Sequence, residues 1–183
     1  MSFSFAFGQD SLPRSLTAEE KTRLHEIGIS RTITDPPDSV VYAPEALDLA
    51  KEPEHLKELY GLNVEKSKHF AAQCMMARRL VERGTRFIQI YSGGMENQRS
   101  WDGHKDIQGN HTGFAQETDQ PIAGLLTDLD QRGLLDETLV IWAGEFGRLP
   151  VAQKSKKPGR DHNPHCFTAW MAGGGVKGGV SHG

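Results

Sequence analysis

Several things are scarce in this sequence, and each scarcity removes a class. There are only two cysteines, Cys74 and Cys166, so no disulfide framework holds the chain together. Cys74 falls in a helical pattern and Cys166 beside a strand, and both read as small buried hydrophobes. No window is long and apolar enough to span a bilayer. The first seven residues are mildly apolar but lack a basic start and a proper apolar stretch, so they do not read as a signal peptide. The default compartment is therefore the cytoplasm. Basic excess is also absent. The formal net charge is −3, which argues against a nucleic-acid surface, since such domains carry a basic stripe. Internal repeats are lacking.

What is present is the composition of a globular domain. The 183 residues are 37% hydrophobic and 25% charged, enough for one domain with a real core. Residues 1–42 are weakly patterned. Thr17 can cap a helix, with Glu20 three residues on, and Asp35-Pro36-Pro37-Asp38 is a turn or linker. Residues 43–49 begin a short helix with Pro44 near its first turn. Residues 54–60 add a further helical turn, stopped by Gly61.

From Val64 the signal sharpens. Phe70, Cys74, Ala77, Leu80 and Val81 recur at helical spacing, and Gly84 is the stop. Residues 85–91 form a β-rich run, a buried strand ended by Ser92-Gly93-Gly94. A polar loop over 95–108 follows. A long helix is expected from about 111 to 132, with Ile122, Leu125, Leu126 and Leu129 as its apolar face. Pro121 predicts a kink or a break in it. Residues 138–143 read as a second buried strand, 147–165 as a basic, flexible loop, and 167–172 as a third strand. Gly173-Gly174-Gly175 reads as a tight turn, and Trp142, Phe167 and Trp170 as core. Strand, helix, strand implies at least one parallel crossover.

Carboxylates and imidazoles gather at the predicted strand ends, where ligands bind in open α/β sheets. Asp102 and His104 are two residues apart, so in extended chain both point to one side and can grip one divalent ion. Glu145 directly follows an apolar strand, where an unpaired charge is costly and a metal would compensate it. Asp161 and His162 precede the third strand and return to the same edge. Arg148 and Arg160 lie close by, and guanidinium forks suit phosphate or sulfate oxygens. Each feature also has a plainer reading. Asp-x-His alone is a turn with a surface histidine, Glu145 a cap or ion-pair partner, and Asp161 a partner for Arg160 or Lys157. Lys154 to Lys157 is a solvated charge run, or one that attracts an anionic substrate. His111, His165 and His182 fit no ligand spacing and read as structural or solvent-facing.

Six segments together resemble the sulfatase-like family called domain of unknown function 1501. They are Gly84-Thr85-Arg86-Phe87, Trp101-Asp102-Gly103-His104, residues 132–140, Gly144-Glu145-Phe146-Gly147-Arg148, Gly159-Arg160-Asp161-His162 and residues 172–179. The resemblance covers roughly residues 43–183, which makes 43–183 a partial sulfatase-like α/β domain and 1–42 a separate segment. It implies an alkaline-phosphatase-like α/β fold in three layers around a mostly parallel sheet, with one or two divalent metals (Zn, Mn, Ca or Mg) at its carboxyl edge. It groups Asp102, His104 and His162 around one metal and assigns Glu145, with Asp161, to a second. Glu145 stands where the superfamily has a metal-binding Asp, and Phe146 where it has a His. Arg148 and Arg160 become the candidate oxyanion clamps. The implied substrate is a small-molecule or glycan sulfate or phosphate ester.

Nothing in 1–42 resembles the family's nucleophile-bearing N-terminal part, and no twin-arginine export signal is present, although the family is often exported. The chain is thus expected to be an incomplete version of the fold with impaired turnover. The alternative is a non-catalytic interaction or structural module. An incomplete sheet also predicts self-association through exposed strand edges.

Overall fold

The structure, a computed structural model, describes residues 2–6, 47–93, 100–152 and 154–183. The helix expected at Thr17, the turn at 35–38, the start of the helix at 43–49 and the first part of the 95–108 loop lie outside these residues.

The helices follow the apolar spacing. Helix α1 is Glu54–Tyr60, and Gly61 ends it in the left-handed conformation, φ 77°. Helix α2 is Lys68–Val81 and buries Phe70, Cys74, Ala77 and Val81 on its inner face. Helix α3 is Ile107–Gln131. It starts earlier than the apolar residues indicate, because Asp106 caps it by accepting a hydrogen bond from the Gly109 N–H at 3.3 Å. It also runs unbroken through Pro121, which is fully buried. Where α1 crosses α3, Gly124 lets the backbones touch; a Cβ there would lie 2.9 Å from Leu59 O and Tyr60 Cα.

The sheet corrects the sequence expectation. Strands β1 (Ser2–Ala6), β2 (Phe87–Tyr91), β3 (Val140–Ala143) and, after two short strands described below, β6 (Ala169–Ala172) form one sheet in the order β2-β1-β3-β6. Every pairing in it is antiparallel: β1 sets Ser4 opposite both Gln89 and Ile141, and β3 sets Trp142 opposite Trp170. A three-layer, mostly parallel alkaline-phosphatase-like sheet is therefore not what this chain forms.

Two physical reasons account for the difference. Strands β2 and β3 do run in the same direction, joined by α3, but β1 from the far end of the chain sits between them. The link from β3 to β6 contains no helix, so nothing carries the chain back across the sheet. It re-enters from the end at which it left and must run antiparallel.

The core lies between the helices and one sheet face. Tyr60, Cys74, Met75, Ile88, Ile90, Leu125, Leu129 and Val140 are all buried there. Trp142 and Trp170 pack against it, partly buried. Each fully buried Leu or Ile contributes roughly 1.5–3 kcal/mol. Phe167 and Cys166 are exposed, not core as their apolar neighbours imply. No helix among the described residues is long and apolar enough to cross a membrane.

This topology gathers two connections at one end of the sheet, the one that follows β2 and the one that joins β3 to β6. The chain leaves β2 and β3 there and enters β6 there.

Candidate metal centre

Three segments meet at that end, and backbone hydrogen bonds lace them together. Arg160 N donates to Gly103 O at 2.9 Å, Asp106 N to Lys157 O at 3.1 Å, and Leu149 N to Asp161 O at 2.9 Å. Strands β4 (Gly147–Arg148) and β5 (His162–Asn163) pair antiparallel, placing Arg148 opposite His162. Lys157 Nζ pairs with Asp106 Oδ2 at 2.8 Å. The loop expected to be flexible is thus pinned at both ends. At Gly159 the segments approach so closely that a Cβ would overlap the carbonyl of His104.

The lacing brings Asp102, His104 and His162 to one point. His162 Nε2 is 3.0 Å and His104 Nε2 3.1 Å from Asp102 Oδ1, and the two imidazole nitrogens are 3.2 Å apart. The second nitrogen of His104 is fixed as well. Its Nδ1 lies 3.0 Å from Asp161 Oδ1, a carboxylate acceptor that in the neutral ring draws the proton to Nδ1 and leaves the Nε2 lone pair facing the other two atoms. A carboxylate holding the far nitrogen is the usual partner of a metal-bound imidazole.

Two features of this set fit a divalent cation. Ligands held at 2.0–2.1 Å around a tetrahedral ion lie about 3.3 Å apart, close to the spacing here. Moreover, the donors outnumber the protons between them: with neutral rings, one His162 Nε2–H cannot serve both Asp102 Oδ1 and His104 Nε2. A cation at the centre satisfies all three. The three side chains are open to solvent, so an ion has direct access.

Around this point the other groups have distinct positions. Arg148 Nη1 donates to Asp102 Oδ1 at 2.6 Å. Slight burial acts to raise the Asp102 carboxyl, but hydrogen bonds from Arg148 and His162 outweigh it and hold the group below its usual range. The Phe146 ring packs on the His162 ring, centroids 4.2 Å apart. Glu145 is exposed and outside the three-donor group; it lines a cleft of about 320 Å3 together with Asp102, Phe146 and Arg148. Arg160 does not line that cleft, and its guanidinium donates to Gly159 O at 2.9 Å. Beneath the centre, Trp101 stacks on Phe114, and His111 faces Trp101 O at 3.0 Å. His165 and His182 are exposed.

The two-residue spacing indicated Asp102 and His104 as a pair, and the family resemblance added His162 to them. Neither pointed to the support given by Asp161, 57 residues from His104 in the chain, or by Phe146, whose ring meets His162 across one loop. Asp161→Asn keeps the shape but weakens the hold on His104. It should lower divalent-cation affinity about 10–100-fold, read by manganese titration; an unchanged affinity would remove Asp161 from this role.

No curated protein and no solved structure matches the chain. The family model described as protein of unknown function (DUF1501) matches residues 32–183, and the chain belongs to that family.

Proposed function

We propose that the chain is a divalent-cation-dependent hydrolase domain that acts on sulfate or phosphate esters, related in its chemistry to sulfatases and alkaline phosphatases. The observation that carries this reading is the convergence of Asp102 Oδ1, His104 Nε2 and His162 Nε2 within 3.2 Å of one another, with Arg148 beside them. The proposal rests on this site and not on the sheet. A bound divalent ion would supply Lewis-acid polarisation of the ester oxygens.

The chain's own residues divide the remaining work. Asp161 keeps His104 in the binding tautomer. Phe146 fixes the plane of His162. Arg148 offers a fork to the non-bridging oxygens, whose charge grows in the transition state. The cleft beside Asp102 and Arg148 receives the alcohol half of the ester. Ser92 and Ser100 line the same cleft, their oxygens accepting from Trp101 Nε1 at 3.0 Å and Asp102 N at 3.3 Å, and water entering the cleft is the candidate nucleophile.

Metal analysis of protein purified without a metal-affinity tag tests the site. Near-stoichiometric metal that is lost in Asp102→Ala is expected. A panel of aryl sulfates and phosphates with added Mn, Zn or Ca tests the reaction, and metal-dependent turnover abolished in His162→Ala is expected. Metal content near zero and unchanged by Asp102→Ala would sink the metal reading. Metal binding without turnover on any ester would leave a non-catalytic module.

A further inference from the structure

Asp102 Oδ1 is crowded. It faces Arg148 Nη1 at 2.6 Å, His162 Nε2 at 3.0 Å and His104 Nε2 at 3.1 Å. A carboxylate oxygen has two in-plane lone pairs, and Arg148 occupies one of them. A divalent ion bound to the same oxygen would sit against the guanidinium charge, and two like charges that close repel. Arg148 as it stands therefore competes with the cation.

The alternative contacts of Arg148 are weak. Its other hydrogen bonds, to Trp101 O and Arg160 O, are both 3.4 Å long. It also lines the cleft, where a tetrahedral oxyanion would offer a bidentate match to its fork. An anion there draws the guanidinium off Asp102 and attracts the cation as well.

We propose that Arg148 couples the two ligands, passing from Asp102 to the anion, so that a divalent cation and a sulfate-type oxyanion bind cooperatively. This rests on the metal-site reading above. The coupling is reciprocal by thermodynamic necessity: each ligand tightens the other by the same factor. Before substrate arrives, the guanidinium neutralises Asp102 and holds the site in shape. The site would then hold its metal more tightly when the anion is present.

Manganese is titrated into tag-free protein in sodium sulfate and in sodium chloride of equal ionic strength, with free manganese read by electron paramagnetic resonance. Sulfate is expected to tighten manganese binding about tenfold. In Arg148→Gln, manganese should bind in chloride at least as tightly as it does to the wild type, and sulfate should add nothing. The reverse titration, sulfate with and without manganese, needs no variant and should give the same factor. Equal manganese affinity in both salts would overturn the coupling while leaving the metal site standing. No manganese binding in either salt would overturn the metal site itself.

Discussion

Replacing Arg78 by methionine is expected to destabilise the protein by about 3–5 kcal/mol, a fall in Tm of roughly 6–20 °C for a chain of this length. Arg78 is the hub of a buried ionic network. Its side chain is 3% exposed and pairs with Glu52 at 2.8 Å, Glu82 at 2.8 Å and Asp128 at 2.9 Å. Asp128, 2% exposed, also accepts from Tyr60 Oη at 2.9 Å and from Arg132 Nε at 2.6 Å. Arg79 joins Glu52. The network ties the segment before α1 to α2 and α3. Removing its central cation leaves buried carboxylates undercompensated, which costs far more than a surface pair is worth. Adding Glu52→Gln and Asp128→Asn to Arg78→Met removes the orphaned charges and should recover part of the loss. No recovery would mean that the packed stem of Arg78, rather than its charge, carries the effect.

The same network sets a pH dependence. Burial acts to raise the Glu52 carboxyl, but Arg78 and Arg79 outweigh it and hold the group below its ordinary value of 4.5. A group depressed in the native state contributes its stability above that ordinary value. The contribution is lost as the pH falls through the native one. The wild-type Tm should therefore fall below pH 4.5, and its lead over Arg78→Met should narrow there. Scanning calorimetry from about pH 7 to about pH 3 reads both. A constant gap across the series would remove Glu52 from the account.

This network was not legible in the sequence, and the reason is general. Arg78, Glu82 and Asp128 are helix charges, which read as solvent-facing until the packing of two helices is known. The helices themselves were legible because Phe70, Cys74, Ala77 and Val81 repeat at a local period. Strands β2 and β3 were legible as apolar runs, but which strands become neighbours is a long-range property. Ser2–Ala6 alternates with period two over only five residues, and no local signal places it between β2 and β3. The metal centre lies between these extremes. Asp102 and His104 are a local pair, whereas His162 reaches them because a loop is stitched to residues 103–106 by backbone bonds.

That stitching makes Gly159→Ala a damaging small change at the site. A Cβ at Gly159 would overlap the carbonyl of His104 and crowd that of Gly103. Both neighbours are backbone, so no side chain can rotate away; the two segments must separate. One carries His104, and the other carries Asp161 and His162. A displacement of about 1 Å is enough to cost roughly a hundredfold at a preorganised site, and manganese affinity should fall on that scale. The helical core is remote from the clash, so the stability loss should be only about 1 kcal/mol, a shift of roughly 2–4 °C. Gly178→Ala is the control, since a Cβ there meets nothing within 4 Å. Manganese binding equal in Gly159→Ala and wild type would show that the close approach of these two segments does not set the position of the ligands. Loss of binding with the melt nearly intact would separate the architecture of the site from the stability of the core.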